Sequence, residues 1–343
     1  MTAPAMRYSI FSVNDHYPAE SRTLPALYGQ IIEQCVLAER LGYDTFFSAE
    51  HHFHEYGVVP NPAVMLAAMA QHTRTIRLGS AISILTFHHP LTVAENYAMV
   101  DVLSDGRLVL GVGSGYLKHE FEGYAVDPAE KRDRFDEGLA VLTQALGGGP
   151  VTFHGRYWQV DDVRLNVVPV QRPAPPVYVA VLRREAAYHV GRKGQKIIFV
   201  PYASVDRFEE IGLLVADYRR GQADAGVVGE DDDVLVALHT HVAEDDGAAR
   251  ASAAAPFDLY VDTRLYARKQ TYDDIMASGL SLLGGVETIR EKTVTLHDMG
   301  VRHVLALHNF GLMSQDLVAD SMRRFAEDVM PAVTDELARR DAA

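Results

Sequence analysis

The chain has 343 residues, 48% of them apolar, and a formal charge of −14 with no basic block set against its acidic side chains. That balance excludes nucleic acid and anionic membrane surfaces as expected partners and leaves small-molecule chemistry as the default. A lone cysteine, Cys35, rules out an internal disulfide, Met1 to Arg7 lacks an apolar signal core, and no apolar run approaches the ~20 residues of a membrane helix, so the expected location is cytoplasmic.

Arg7 to Val13 alternates as a strand, and a helix opened by Pro25 and closed by Gly42 follows it. Cys35 falls on the apolar spacing Leu27, Ile31, Cys35, Ala38 of that helix, which favours a core thiol over a nucleophile. Thr45 to Ala49 is short, aromatic and β-favouring, and it changes within one residue to Glu50, His51 and His52. In α/β sheets the carboxyl ends of strands carry the site, and a carboxylate beside an imidazole supplies proton transfer near neutral pH. Solvated loop residues, or a satisfied hydrogen-bonded pair, account for an isolated Glu-His-His equally well. The segment Pro62 to Gln71 is apolar on every face, and Thr92 to Ser104, beyond the strand Arg77 to Ile84, leaves little polar surface. Both helices therefore ask for a second covering layer, most simply a two-fold homodimer.

Leu108 to Val112 is a fourth strand between the turn Ser104-Asp105-Gly106-Arg107 and Gly113-Ser114-Gly115-Tyr116. The glycines let a ligand approach the backbone, although an ordinary tight turn needs them as much. The spacing lacks a full Gly-x-Gly-x-x-Gly, which disfavours a dinucleotide-binding fold. A helix from about Ala129 to Leu146 precedes short β-like pieces through Pro176, with Trp158 packing them down. Alternation resumes with strands at Val177 to Ala180, Ile197 to Val200, Val234 to Ala243 and His303 to Leu307. Helices are expected at Glu185 to Arg192, Val205 to Gly221, Val286 to Met299 and Ser314 to Met330. Eight strand–helix units imply an α/β fold of the closed (β/α)8 TIM-barrel type, one domain over 1–343 with insertions near 147–176 and 251–283.

Ala49-Glu50-His51-His52-Phe53, Asn61-Pro62, Gly79-Ser80-Ala81, His89-Pro90, Ser104-Asp105-Gly106-Arg107 and the Gly111 to Gly115 turn together resemble the bacterial luciferase-like flavin-dependent monooxygenases. The resemblance implies reduced FMN at the carboxyl face of the barrel, reacting with molecular oxygen to oxidise a small organic substrate such as an aldehyde or ketone, with a separate flavin reductase supplying the cofactor. His51 matches the family's active-site histidine, with Glu50 expected to tune or position its imidazole; His52 and His89 are orienting groups or polar links. A non-proline cis peptide of the family falls at Ala81-Ile82. Gly113 stands where luciferase has a reactive cysteine, which removes thiol chemistry and implies extra space beside the flavin ring. The flavin phosphate loop corresponds to Val181-Leu182-Arg183-Arg184-Glu185, where Arg183, Arg184, Ser114 and backbone amides are the expected phosphate contacts; arginines that are solvated or paired with Glu185 are the competing reading.

Three other functions stand beside this one. F420, a deazaflavin, is the alternative cofactor on the same barrel. A metal-dependent hydrolase would use His52-x-His54 and His239-x-His241, although no carboxylate or lysine set completes a metal site and none is expected. A non-catalytic flavin-binding subunit would keep the barrel without the reaction.

Overall fold

In the computed structural model, which describes residues 6–20, 22–264 and 269–342, the short aromatic and β-branched runs form parallel strands and the longer amphipathic segments cover them as helices. The strands are β1 (Arg7–Ser12), β2 (Thr45–Ser48), β3 (Arg77–Ile84), β4 (Leu108–Gly113), the hairpin pair β5 (Val151–His154) and β6 (Gln159–Val163), then β7 (Val177–Ala180), β8 (Lys196–Phe199), β9 (Val234–Ala243), β10 (Leu282–Gly285) and β11 (His303–Leu307). Eight of them run in the cyclic order β1-β2-β3-β4-β7-β8-β9-β11, and the pairing of Ile197 with Val234 and of Phe199 with Val236 closes the ring. The fold is the eight-stranded barrel expected from the sequence.

The ninth parallel strand, β10, has no counterpart in the sequence reading. Ten-residue β9 outlasts its neighbours: its first half pairs with β8 and β11, and its second half with β10, from Thr240 opposite Leu282 to Ala243 opposite Gly285. The segment 147–176 contains the antiparallel β5–β6 hairpin. Glu137 fastens it by accepting the backbone N–H groups of Arg156, Tyr157 and Trp158, and buried Asp101 accepts those of Val170 and Gln171. The segment 251–283 holds the rest of a helix that starts at Asp246, a second helix Tyr272–Ser278, and the first residues of β10.

Five helices matter below: α1 (Leu24–Arg40), α2 (Pro62–His72), α3 (Pro90–Leu103), α4 (Lys118–Gly123) and α5 (Lys131–Leu146). Helix α4 has no counterpart in the sequence reading, since it is only six residues long and no apolar period develops. The expected helix from Val205 begins instead at Glu210, after the separate turn Pro201–Ser204. The last helix does not stop at Met330: Gln315–Arg324 passes through a wide turn, Phe325–Val329, into Met330–Asp341. Cys35 is fully buried on α1, where burial pushes its thiol up and away from reactivity. Among the described residues no helix is long and apolar enough to cross a membrane.

The Ser104-Asp105-Gly106-Arg107 turn acts at the amino-terminal end of the barrel. Asp105 and Gly106 take left-handed φ values of 55° and 77°, which turns the chain from α3 into β4. The guanidinium of Arg107 then donates to Ser104 O, Thr73 Oγ1, Ile76 O, Ala70 O and Thr73 O, joining the α2–β3 connection to the α3–β4 connection. Arg107→Ala leaves several of these carbonyls unpaired and is expected to lower stability by roughly 2–4 kcal/mol. Chemical denaturation with cofactor affinity measured alongside checks this, because a site role would weaken binding in the folded protein instead.

Candidate active site

The Glu50-His51-His52 segment leaves β2 at the carboxyl end of the barrel, and all three side chains are buried. They point into two different hydrogen-bond systems. His51 Nδ1 lies 3.2 Å from Glu120 Oε1, and the same oxygen accepts the His52 backbone N–H at 3.0 Å. An ionised carboxylate only accepts, so Nδ1 carries the proton and Nε2 is the nitrogen left for a ligand. Burial, together with the charge of Arg264, pushes the His51 imidazole below its ordinary pKa, while the bond to Glu120 and its charge pull the other way.

Glu50 serves the second system, so of the two roles expected of it, tuning or positioning the His51 imidazole, positioning is corrected and only the effect of its charge remains. Its Oε1 accepts His52 Nε2–H at 3.0 Å and His88 Nε2–H at 2.8 Å, and its Oε2 accepts the Ser83 hydroxyl at 3.0 Å. Burial would raise this carboxyl, but the two imidazoles hold it down at about 2. With the His52 proton on Nε2, its Nδ1 is free to accept from the Tyr124 hydroxyl at 3.1 Å. Glu50 therefore reaches His51 through its field alone. His89 caps α3 by accepting the Leu91 N–H and packs against Trp158, a structural task.

Close packing explains several glycines and small residues around these groups. A Cβ at Gly57 would stand 2.7 Å from His51 Cδ2, so only glycine lets the following loop lie on that ring. A Cβ at Gly111 would meet Ser80 O at 2.3 Å, and Ser80 Oγ donates to Gly111 O. The β3–β4 register shifts between Ser80 and Ser83, and within that irregularity the Ala81-Ile82 peptide is cis.

Of the expected cofactor residues, Ala81, Ile82, Gly113 and Val181 lie together at the strand ends. The space expected beside Gly113 is filled: a Cβ there would stand 2.7 Å from Ile82 Cδ1 and 3.3 Å from Ala180 Cβ. Val181 is buried and donates its N–H to Ile198 O. Leu182 and Arg184 line a cavity of about 390 Å³ with Tyr116, Tyr202 and Ser204. Arg184 is also held by Asp217, at 2.8 and 2.9 Å, so it reaches an incoming anion only by sharing that carboxylate. Arg183 is exposed at the start of the helix Arg184–Arg192, and the Ser114 carbonyl accepts the Thr86 hydroxyl. The same cavity is lined by the carboxylates of Asp206 and Glu210 as well, and Ala81, Ile82, Gly113 and Val181 do not border it, so Arg184 and Ser204 are the groups there that suit a phosphate.

The histidine pairs considered for a metal do not converge. His54 Nδ1 accepts the Tyr56 N–H, and His241 pairs with Ser252. Glu50, His52 and His88 form a different set whose ligand atoms lie within 4.8 Å of one another. Each of those atoms is already engaged in the hydrogen bonds described above. A second set, Glu230, Asp232 and Asp233, encloses the Lys196 ammonium. Glu120, His88 and Tyr124 escaped the sequence reading. The signal available for the first was an acidic residue just beyond the Gly113-Ser114-Gly115 turn, and for the second the doubled histidine before Pro90.

Because Glu120 raises the His51 pKa against burial, Glu120→Gln is expected to move the His51 titration midpoint further down the pH scale. Histidine NMR of the variant measures this, and an unmoved midpoint would separate the two residues. Glu120→Ala in addition leaves two buried donors unpaired, at about 1–3 kcal/mol of stability.

The luciferase-like monooxygenase family model matches residues 6–303. The oxygenase component of the flavin-dependent trigonelline monooxygenase of Acinetobacter baylyi is 28% identical over 72% of this chain and 68% of its own. An F420-dependent glucose-6-phosphate dehydrogenase of Microbacterium testaceum is 25% identical over 88% and 92%. The crystal structure of the monooxygenase RslO1 from Streptomyces bottropensis superposes with a TM-score of 0.88 at 28% identity, covering 95% of this chain and 99% of that one. With its barrel, its strand-end histidines and a family match over most of its length, the chain belongs to the luciferase-like monooxygenases, a family of oxidoreductases.

Proposed function

We propose that the chain is the oxygenase of an FMN-dependent monooxygenase acting on a small organic molecule of the aldehyde or ketone class. The observation that carries this reading is the buried His51, its Nδ1–H fixed on Glu120 and its Nε2 left for a ligand, one strand away from the bulge at Ala81-Ile82. Reduced FMN supplies two electrons to molecular oxygen, so that one oxygen atom enters the substrate and the other leaves as water. His51 holds or moves a proton at Nε2 where the oxygen reacts, and Glu120 keeps the ring in the tautomer that can do so. Glu50 keeps His52 and His88 in place behind it. The backbone at Ala81, Ile82 and Gly113, with Val181 beside them, forms the floor for the ring. Ser114, Leu182, Arg183 and Arg184 are the phosphate-side candidates, Arg184 in competition with Asp217. The relative that is an oxygenase component supports a separate flavin reductase as the source of reduced FMN.

F420 is the second reading, favoured by the dehydrogenase relative that spans nearly the whole chain. Affinities for reduced FMN and reduced F420, measured in parallel, decide between them. Oxygen uptake, peroxide release and product yield with decanal and cyclohexanone then test the reaction. At matched FMN occupancy, His51→Gln is expected to lose ~10²- to 10⁴-fold in product formation and to release more peroxide. Equal coupling in the variant would reject the role of His51, and flavin binding with no product from the wild type would favour a non-catalytic subunit.

The same reading includes a homodimer. Helices α2 and α3 pack on one another and leave Val64, Met99, Val102 and Leu103 exposed, with Val64 68% and Met99 51% accessible. An apolar surface of this kind is covered most simply by its own two-fold copy. Sedimentation at micromolar concentration should give a dimer, and Val64→Glu combined with Met99→Glu a folded monomer. A monomeric wild type would remove the dimer.

A further inference from the structure

Behind His51, three side chains converge from neighbouring strand ends. Glu50 and His52 stand two residues apart beyond β2, and His88 follows the single turn Leu85–Phe87 beyond β3, the strand paired with β2. Glu50 Oε1, His52 Nε2 and His88 Nε2 lie within 4.8 Å of one another. The hydrogen bonds that engage these atoms run only among themselves, since both imidazoles donate to the one oxygen. The cluster of Glu230, Asp232 and Asp233 is already filled by the Lys196 ammonium, whereas among the described residues Glu50 pairs with imidazoles alone.

A cation placed among the three atoms takes the place of the two ring protons and strips no outside partner. Glu50 Oε2 keeps the Ser83 hydroxyl. The His52 proton moves to Nδ1, where the Tyr124 oxygen, 3.1 Å away, accepts it and fixes the ring from behind. A cavity of about 280 Å³ borders Glu50 and His88 and is lined by Asn61, Ser83, Asn96 and Tyr97 as well, which gives an ion a way in and room for a water beside it.

We propose that Glu50, His52 and His88 bind one divalent cation of the zinc type, with a water from this cavity as its fourth ligand. Two imidazoles and one carboxylate suit zinc, whereas calcium and magnesium ask for oxygen ligands throughout. Zinc bonds of ~2.0–2.2 Å at tetrahedral angles hold their donors ~3.3 Å apart. The two nitrogens now stand 3.0 and 2.8 Å from the shared oxygen, so they open by only ~0.3–0.5 Å, and half-buried His88 at the end of its turn has the freedom to do so. The ion fastens the ends of β2 and β3 together behind His51, whose Nδ1 remains on Glu120, so its role is structural and stands apart from the oxygenase reading.

Calorimetric titration of the full-length, chelator-treated chain with Zn²⁺ tests this, with Mg²⁺ as the oxygen-preferring control. One Zn²⁺ should bind per chain, resist a large excess of Mg²⁺ and raise the thermal unfolding midpoint. Co²⁺ in its place should give the intense visible bands of a four-coordinate ion. His88→Gln and Glu50→Gln should each weaken Zn²⁺ binding roughly 100-fold or more, because changes to outer-shell partners alone cost ~10- to 100-fold. His89→Gln, which alters an exposed imidazole on the same cavity, should leave it unchanged. No zinc uptake, uptake that survives His88→Gln, or a six-coordinate Co²⁺ spectrum would overturn the proposal and leave the three groups a hydrogen-bonded link. So would a loss in His89→Gln equal to that in His88→Gln, which would move the ion to the mouth of the cavity. The Co²⁺ spectrum is read on the wild type, so it decides even where a variant fails to fold.

Discussion

One oxygen atom of Glu120 accepts both the imidazole of His51 and the backbone N–H of His52, and the carboxyl-face arrangement of the barrel depends on that double contact. It ties the end of β2 to the short helix α4 beyond β4, two strands away around the barrel. A buried carboxylate is costly unless it is hydrogen-bonded, so the contact stabilises one conformation of the strand end and one tautomer of the ring together. Glu50 then repeats the device one layer behind, gathering His52, His88 and Ser83 on its two oxygens. Two acids thus divide the histidines between them: one supports the imidazole that faces a ligand, and the other supports the scaffold behind it.

The electrostatic consequence is a site polarised across its width. On one side lie the two carboxylates, each hydrogen-bonded by imidazole rings. On the other lies Arg264 among tyrosine rings, and its charge acts on both His51 and His239. In a low-dielectric enclosure such a gradient is felt strongly. Burial first, and then the charge of Arg264, push His51 and His239 below the ordinary imidazole pKa.

The backbone of the site follows from close approach as much as from charge. Gly57 against His51, Gly111 against the Ser80 carbonyl and Gly113 against Ile82 are positions where a Cβ would collide, and each is next to a proposed functional group. Gly113 is instructive because the missing side chain does not leave room. Ile82 and Ala180 have closed over it, as expected of interiors packed to crystal-like density.

By itself the sequence determined the barrel, because that information is local. Period-two apolar runs alternating with amphipathic segments, Pro25 and Pro62 at helix starts, and Gly42 after a helix mark each unit without reference to any other. It also marked the end of β2 as the chemical centre, since Glu50, His51 and His52 interrupt an apolar strand abruptly. What only the tertiary structure decided is who partners whom. Glu120 is 69 positions from His51 and sits on a six-residue helix too short to show a period, so nothing in the chain order distinguished it from Glu50, the adjacent acid. The pairing of Arg184 with Asp217, the filling of the space at Gly113, and the meeting of Tyr56 with Arg264 across 208 positions have the same origin. Secondary structure is written in neighbours along the chain, whereas proton placement and charge balance depend on neighbours in space, which closure of the barrel alone brings together.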